Sequence, residues 1–187
     1  MAKQLRERSK TLQPWPSATA PTKDSSGTVS LVIEGVDKIG RIRADNVVPG
    51  SPDDQSVYRN ELAGLYGIVL AVSLVCKVHG VTGGQVDIGC DGLLALQQSF
   101  HPDNIPNAPT APQFDLICAI RRVAKQCPVV WLPRHADGHQ DNDLTTILDW
   151  HALLNNEMDT GAKAFMFSLP QTLGSDQRFL ENHGQFG

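Results

Sequence analysis

The sequence predicts an α/β domain in which a mixed β-sheet is layered with helices. Three observations lead there. Two β-rich runs, TVSLVIEG (28–35) and RIRADNVV (41–48), sit on either side of a short turn. A long apolar-periodic helix pattern follows them, and two more short apolar runs, QVDIGC (85–90) and VVWLPRH (129–135), alternate with helical stretches.

The elements follow in order. Residues 1–27 mix charges and small polar residues with Pro14, Pro16 and Pro21, show neither helical nor strand periodicity, and read as a disordered tail. The folded domain is expected over 28–165. Turn formers in VDKIG make the first two runs an antiparallel hairpin, and PGSPDD then breaks the chain. From Gln55 to about His79 the apolar residues Leu62, Leu65, Val69, Val72 and Cys76 recur at helical spacing, which gives one broad buried face. GVTGG closes that helix. The strand 85–90 ends at Asp91, a short helix LLALQQ follows, and Pro102, Pro106, Pro109 and Pro112 force a loop. A helix over 114–127 leads to the strand 129–135, then to the polar stretch DGHQDND (137–143), and then to a helix from about Leu144 to Phe165. Residues 166–187 are weakly patterned and read as a C-terminal tail.

Composition narrows the function classes only a little. The chain has 187 residues, 41% hydrophobic and 19% charged, which suits one domain plus tails and excludes a wholly disordered chain. A net charge of −4 supplies no global basic field, so nucleic-acid binding would need a local basic face. Cys76, Cys90, Cys118 and Cys127 form no C-x-x-C pair and lie in apolar segments, so they read as reduced, buried thiols of an intracellular protein, cytoplasmic or nuclear. The longest apolar stretch (62–76) falls short of the about 20 residues a bilayer span needs, and no apolar stretch follows the basic N-terminus. A soluble monomer without membrane association is expected.

Three acids stand where these elements converge: Glu61 in the first turns of the long helix, Asp91 at a strand end, and Asp159 on the last helix. Sites in α/β sheets form at strand ends, and acids crowded there are relieved by a divalent cation. Oxygen-only ligands favour Mg²⁺ or Mn²⁺ over zinc. Each acid taken singly also fits a solvated surface position, and Asp91-Gly92 fits a routine turn. DGHQDND has two readings as well. It is a metal cluster around His139, or a polar loop in which Asp143 caps a helix beginning at Leu144. Zinc is disfavoured there, because His139 has neither a thiolate nor a correctly spaced second histidine beside it.

QSVYRNELAGLYGIVLA, VDIGCDGLLAL, GHQD and LNNEMDTGAKAF occur in an order that resembles a type 1 ribonuclease H domain, most of all the version attached to retroelement reverse transcriptases. The resemblance covers roughly residues 28–165. It implies a ribonuclease H-like mixed sheet flanked by helices, with Glu61, Asp91 and Asp159 as catalytic metal ligands and His139 as the family's mobile histidine. The implied cofactor is Mg²⁺ or Mn²⁺, with two ions serving the family's reaction. The implied activity is endonucleolytic hydrolysis of the RNA strand of an RNA–DNA hybrid that is recognised by shape and 2′-hydroxyls. A reverse transcriptase domain in a parent polyprotein is the implied partner besides the hybrid. Arg121, Arg122 and Lys125 are candidates for phosphate contacts, against the alternative of a solvated helix face.

The sequence departs from the family at its start. The family's first, central strand bears a metal-bridging aspartate, yet TVSLVIEG aligns with the second strand and RIRADNVV with the third. No central strand is evident before them, and Asp24 is the only aspartate upstream. Two function classes follow. One is a working endonuclease; the other is a catalytically impaired or truncated ribonuclease H-like module that binds nucleic acid. An integrase-like nuclease fits the ELAGL and NNEMD helices less well.

Overall fold

The computed structural model describes residues 11–19, 27–101, 103, 109–136 and 148–169. The elements are β1 (Thr11–Thr19), β2 (Thr28–Gly35), β3 (Arg41–Val47), α1 (Val57–Val78), β4 (Gln85–Cys90), α2 (Leu93–Phe100), α3 (Phe114–Gln126), β5 (Val130–His135) and α4 (Trp150–Ser168). One five-stranded sheet runs in the order β3-β2-β1-β4-β5. β1 is antiparallel to β2 and parallel to β4, so the sheet is mixed, as expected.

β1 corrects the sequence reading. The central strand exists, and it lies inside the stretch expected to be a tail. The prolines made the stretch look unlike a strand, because a proline removes a ladder donor and is normally confined to sheet edges. Pro14 and Pro16 are two residues apart, so both missing N–H groups face the same neighbouring strand. Pairing with β2 runs without a break from Leu12 to Thr19, whereas pairing with β4 stops at Leu12. The missing donors therefore fall on the β4 side, and the β1–β2 ladder is left whole.

The other expected elements are present. Along β2, successive side chains point to opposite faces. Val29, Leu31 and Ile33 join the α1 core with Leu62, Leu65, Val69, Val72 and Cys76, the residues expected from their spacing. Val32 packs in a separate cluster with Leu154 and Met158 of α4. Hence α1 and α4 cover opposite faces of the sheet. By length and composition α1 could cross a bilayer, but here its apolar face forms the main core.

α4 differs from expectation at its start. Its first residue is Trp150, and its N-cap is Asp149, whose Oδ1 accepts from Ala152 N at 2.8 Å. Asp143 and Leu144, the expected cap and first residue, lie outside the described residues. α4 begins near the β2–β3 turn, where Lys38 Nζ sits 3.6 Å above the Trp150 ring. Further along, it reaches the opposite end of the strands, where Thr28 Oγ1 donates to the Ala162 carbonyl at 2.9 Å. Between them Glu157 binds Arg41 at 2.5 Å, and Arg41 also reaches the buried Glu34 at 3.8 Å. The four cysteines are free thiols, three of them buried.

Candidate active site

The site is built at the C-terminal end of β4. Ser56 caps α1 by accepting from Arg59 N at 3.0 Å, which fixes the first turn of the helix that carries Glu61. Arg59 is buried and ties this turn to two neighbours. Its Nε donates to the Pro49 carbonyl at 2.6 Å, and its Nη2 donates to Asp115 Oδ2, in the first turn of α3, at 2.9 Å. Burial pushes the Asp115 carboxyl up, but the Arg59 hydrogen bonds, the backbone N–H groups of Leu116 and Asp115 and the Arg59 charge together outweigh that and hold it below its ordinary value.

Glu61 and Asp91 come together as expected. The Glu61 carboxylate lies against the backbone of Gly92, so closely that a Cβ at position 92 would overlap it. Burial raises the Glu61 carboxyl to about 7, and the neighbouring Asp91 charge adds to the rise. Among the described residues no cation or hydrogen-bond donor relieves it. The phenol of Tyr58, one turn away and donating to Gln98 Oε1 at 2.6 Å, is pushed up to about 12, first by burial and then by Glu61.

Asp91 is held by its neighbours in the chain and across the sheet. The thiol of Cys90 is fully buried, accepts from Gly92 N at 3.3 Å, and lies 3.8 Å from Asp91 Oδ1. Burial, then Asp91, keeps that thiol well above its ordinary value, so it stays protonated and can donate to the carboxylate. His135, at the end of β5, places Nε2 3.0 Å from the Asp91 carbonyl. Cys90, Gly92, Tyr58 and His135 are site features that the sequence reading missed. Gly92 passes for an ordinary turn residue, and Cys90 and His135 pass for the last residues of strands.

Asp159 is placed differently. It lies on α4 about one turn before Ala162, and Ala162 packs at Thr28, the partner of Thr19. Asp159 therefore sits on the helix that covers the face opposite α1, about one turn short of the sheet end that holds Asp91. Its carboxylate pairs with Lys163 of the same helix, and no described contact joins it to Glu61 or Asp91. Among the described residues no group of three His, Cys, Asp or Glu side chains could hold a metal ion. His139 lies outside the described residues, as does Asp24. β1 itself contains no carboxylate. Of the proposed phosphate contacts, Arg121 is committed to the end of α2, donating to the Gln98 and His101 carbonyls at 2.8 and 2.6 Å. Arg122 and Lys125 are exposed on α3.

The arrangement tests the fit of a divalent cation. Two adjoining carboxylates, one of them desolvated enough to sit near neutrality, form a donor set that a hard cation would relieve. Mg²⁺ is commonly bound through one or two carboxylates completed by substrate phosphate and water. The residues present fit one such ion.

No protein-family profile matches the sequence, and no curated protein matches it. Solved structures do resemble the fold. LC9-RNase H1, a type 1 ribonuclease H with the type 2 active-site motif, superposes with a TM-score of 0.54 at 12% identity, over 83% of this chain and 74% of that one. The N-terminal ribonuclease H domain of a Mycobacterium tuberculosis protein gives 0.46 at 14% identity, over 84% and 99%. The foamy viral protease-reverse transcriptase in complex with double-stranded DNA gives 0.49 at 14%, over 87% and 97%. With the strand order β3-β2-β1-β4-β5 and a helix on each face, the first of these likenesses establishes that this chain has the ribonuclease H fold.

Proposed function

We propose that this chain is a divalent-cation-dependent endonuclease that hydrolyses the RNA strand of RNA–DNA hybrids. The observation that carries the reading is the Glu61–Asp91 pair at the end of β4, with the Glu61 carboxyl raised to about 7. In this reading Glu61 and Asp91 hold Mg²⁺ or Mn²⁺, and Gly92 leaves room for the Glu61 carboxylate. A bound cation would neutralise phosphate charge and lower the pKa of an attacking water. Asp159 serves as a third ligand once it exchanges Lys163 for the cation, and His139 assists proton transfer or product release. Arg122 and Lys125 contact phosphates of the hybrid. The protein acts as a monomer. Its origin beside a reverse transcriptase in a retroelement polyprotein rests on the sequence resemblance alone.

One observation favours a second reading. β1 carries no carboxylate over Thr11–Thr19, which removes the bridging ligand the family uses. On that reading the chain binds hybrid and cleaves it poorly or not at all. Cleavage and binding of one labelled hybrid, with and without Mg²⁺, separate the two. Mg²⁺-dependent cleavage that disappears in Asp91→Asn supports the nuclease, and binding without cleavage supports the second reading. Cleavage that persists in Asp91→Asn overturns the site.

A further inference from the structure

β4 and β5 run parallel with Cys90 paired to His135. Their backbone ladder continues one bond further, as Ala136 N donates to the Cys90 carbonyl at 3.1 Å. β4 ends there, and the carbonyl of Asp91, the first beyond the strand, is reached by a side chain. His135 Nε2 lies 3.0 Å away. A carbonyl can only accept, so this contact requires the proton on Nε2. One imidazole thus extends the inter-strand bonding beyond the last backbone pair, onto the turn that also presents Gly92 to Glu61.

We propose that His135 is a positioning residue for Asp91: its Nε2–H pins the Asp91 carbonyl, and with it the Asp91-Gly92 turn, against the end of β5. The proposal rests on the reading of Asp91 as a cation-holding carboxylate. His135 is a different residue from His139, the histidine that the sequence resemblance implies as mobile. It acts through the backbone of Asp91, as partners behind a metal ligand do when they fix the ligand's orientation. Cys90 restrains the same turn from the buried side, through Gly92 N. The turn is therefore held from both sides, and the exposed restraint is the histidine.

The test compares His135→Ala with His135→Gln, whose amide retains an N–H donor at a similar reach. In the metal-free protein, His135→Ala should speed hydrogen exchange at the Asp91 and Gly92 amides, and His135→Gln should restore most of the protection. Titration with Mg²⁺ alone should show affinity falling about 10-fold in His135→Ala and recovering in His135→Gln, and kcat on hybrid should follow the same order. Unchanged exchange at the turn in His135→Ala overturns the proposal, whatever the enzyme does. So does a His135→Gln variant as impaired as His135→Ala. If the unmutated protein binds Mg²⁺ but cuts no hybrid, the nuclease reading fails, while the exchange and Mg²⁺ titrations still decide the role of His135.

Discussion

Replacing Glu61 by Gln should stabilise the metal-free protein at alkaline pH and leave it nearly unchanged at acidic pH. The carboxyl titrates at about 7 in the fold against 4.5 for the ordinary group, so the folded state holds the proton more tightly than the unfolded chain does. The unfolded state binds fewer protons between those values, and stability falls as pH rises through that window. At about 1.36 kcal/mol per pH unit, the gap of roughly 2.5 units sets a ceiling of about 3 kcal/mol. Glu61 is only partly buried, and solvent screening reduces this to roughly 1–2 kcal/mol. Glutamine keeps the shape and removes the charge. Urea denaturation at pH 5 and pH 8 should therefore show the variant gaining roughly 1–2 kcal/mol only at pH 8, or about 2–8 °C in Tm. Adding Mg²⁺ at pH 8 should close the gap by stabilising the unmutated protein, since an ion that binds the native state shifts the folding equilibrium toward it. Equal stability at both pH values would show that Glu61 is not strained by burial beside Asp91, and the case for a cation there would lose its electrostatic basis.

Other perturbations probe the supports of the site. Gly92→Ala places a methyl group on the Glu61 carboxylate and should cost about 1–3 kcal/mol together with most of the cation affinity, read by thermal melting and Mg²⁺ titration. Gly161→Ala, a change that ordinarily favours a helix, should instead destabilise by about 1 kcal/mol, because the new Cβ would meet the Arg43 guanidinium and sit 2.8 Å from Ser30 Oγ. Arg59→Ala should cost about 2 kcal/mol by freeing the first turn of α1, and chemical denaturation would measure it. The contribution of Arg59 through Asp115 is present above the ordinary carboxylate range and lost as pH falls through it, so the cost should shrink in acid. Placing an aspartate at Ser17 should strengthen Mg²⁺ binding: continued along β1, the Leu12–Val86 register sets Ser17 level with Asp91.

The parts of this molecule that could be read in the sequence are those where one physical rule acts alone. α1 follows the helical spacing of Leu62, Leu65, Val69, Val72 and Cys76 because a single face is buried, and β4 follows from a short apolar run closed by Asp91. β1 obeys two rules in conflict. Its prolines oppose a central strand, and the opposition holds only if the missing donors interrupt a ladder that must continue; here pairing with β4 ends before them. The same reasoning separates the site residues. Asp91 and Glu61 are legible because a strand end and a helix start each project one acid to one place. Asp159 is legible as an acid on a helix. Its partner Lys163, four residues on, is the spacing at which such pairs form, and the sequence alone shows the pair as plainly as it shows the acid. α1 and α4 lie on opposite faces of the sheet. Asp159 can therefore join Glu61 and Asp91 only by reaching around the strand end, between β1 and β4, where the prolines of β1 have already ended the pairing. The same prolines that hide β1 in the sequence leave the seam between β1 and β4 without a backbone ladder, at the place where a third carboxylate would have to enter.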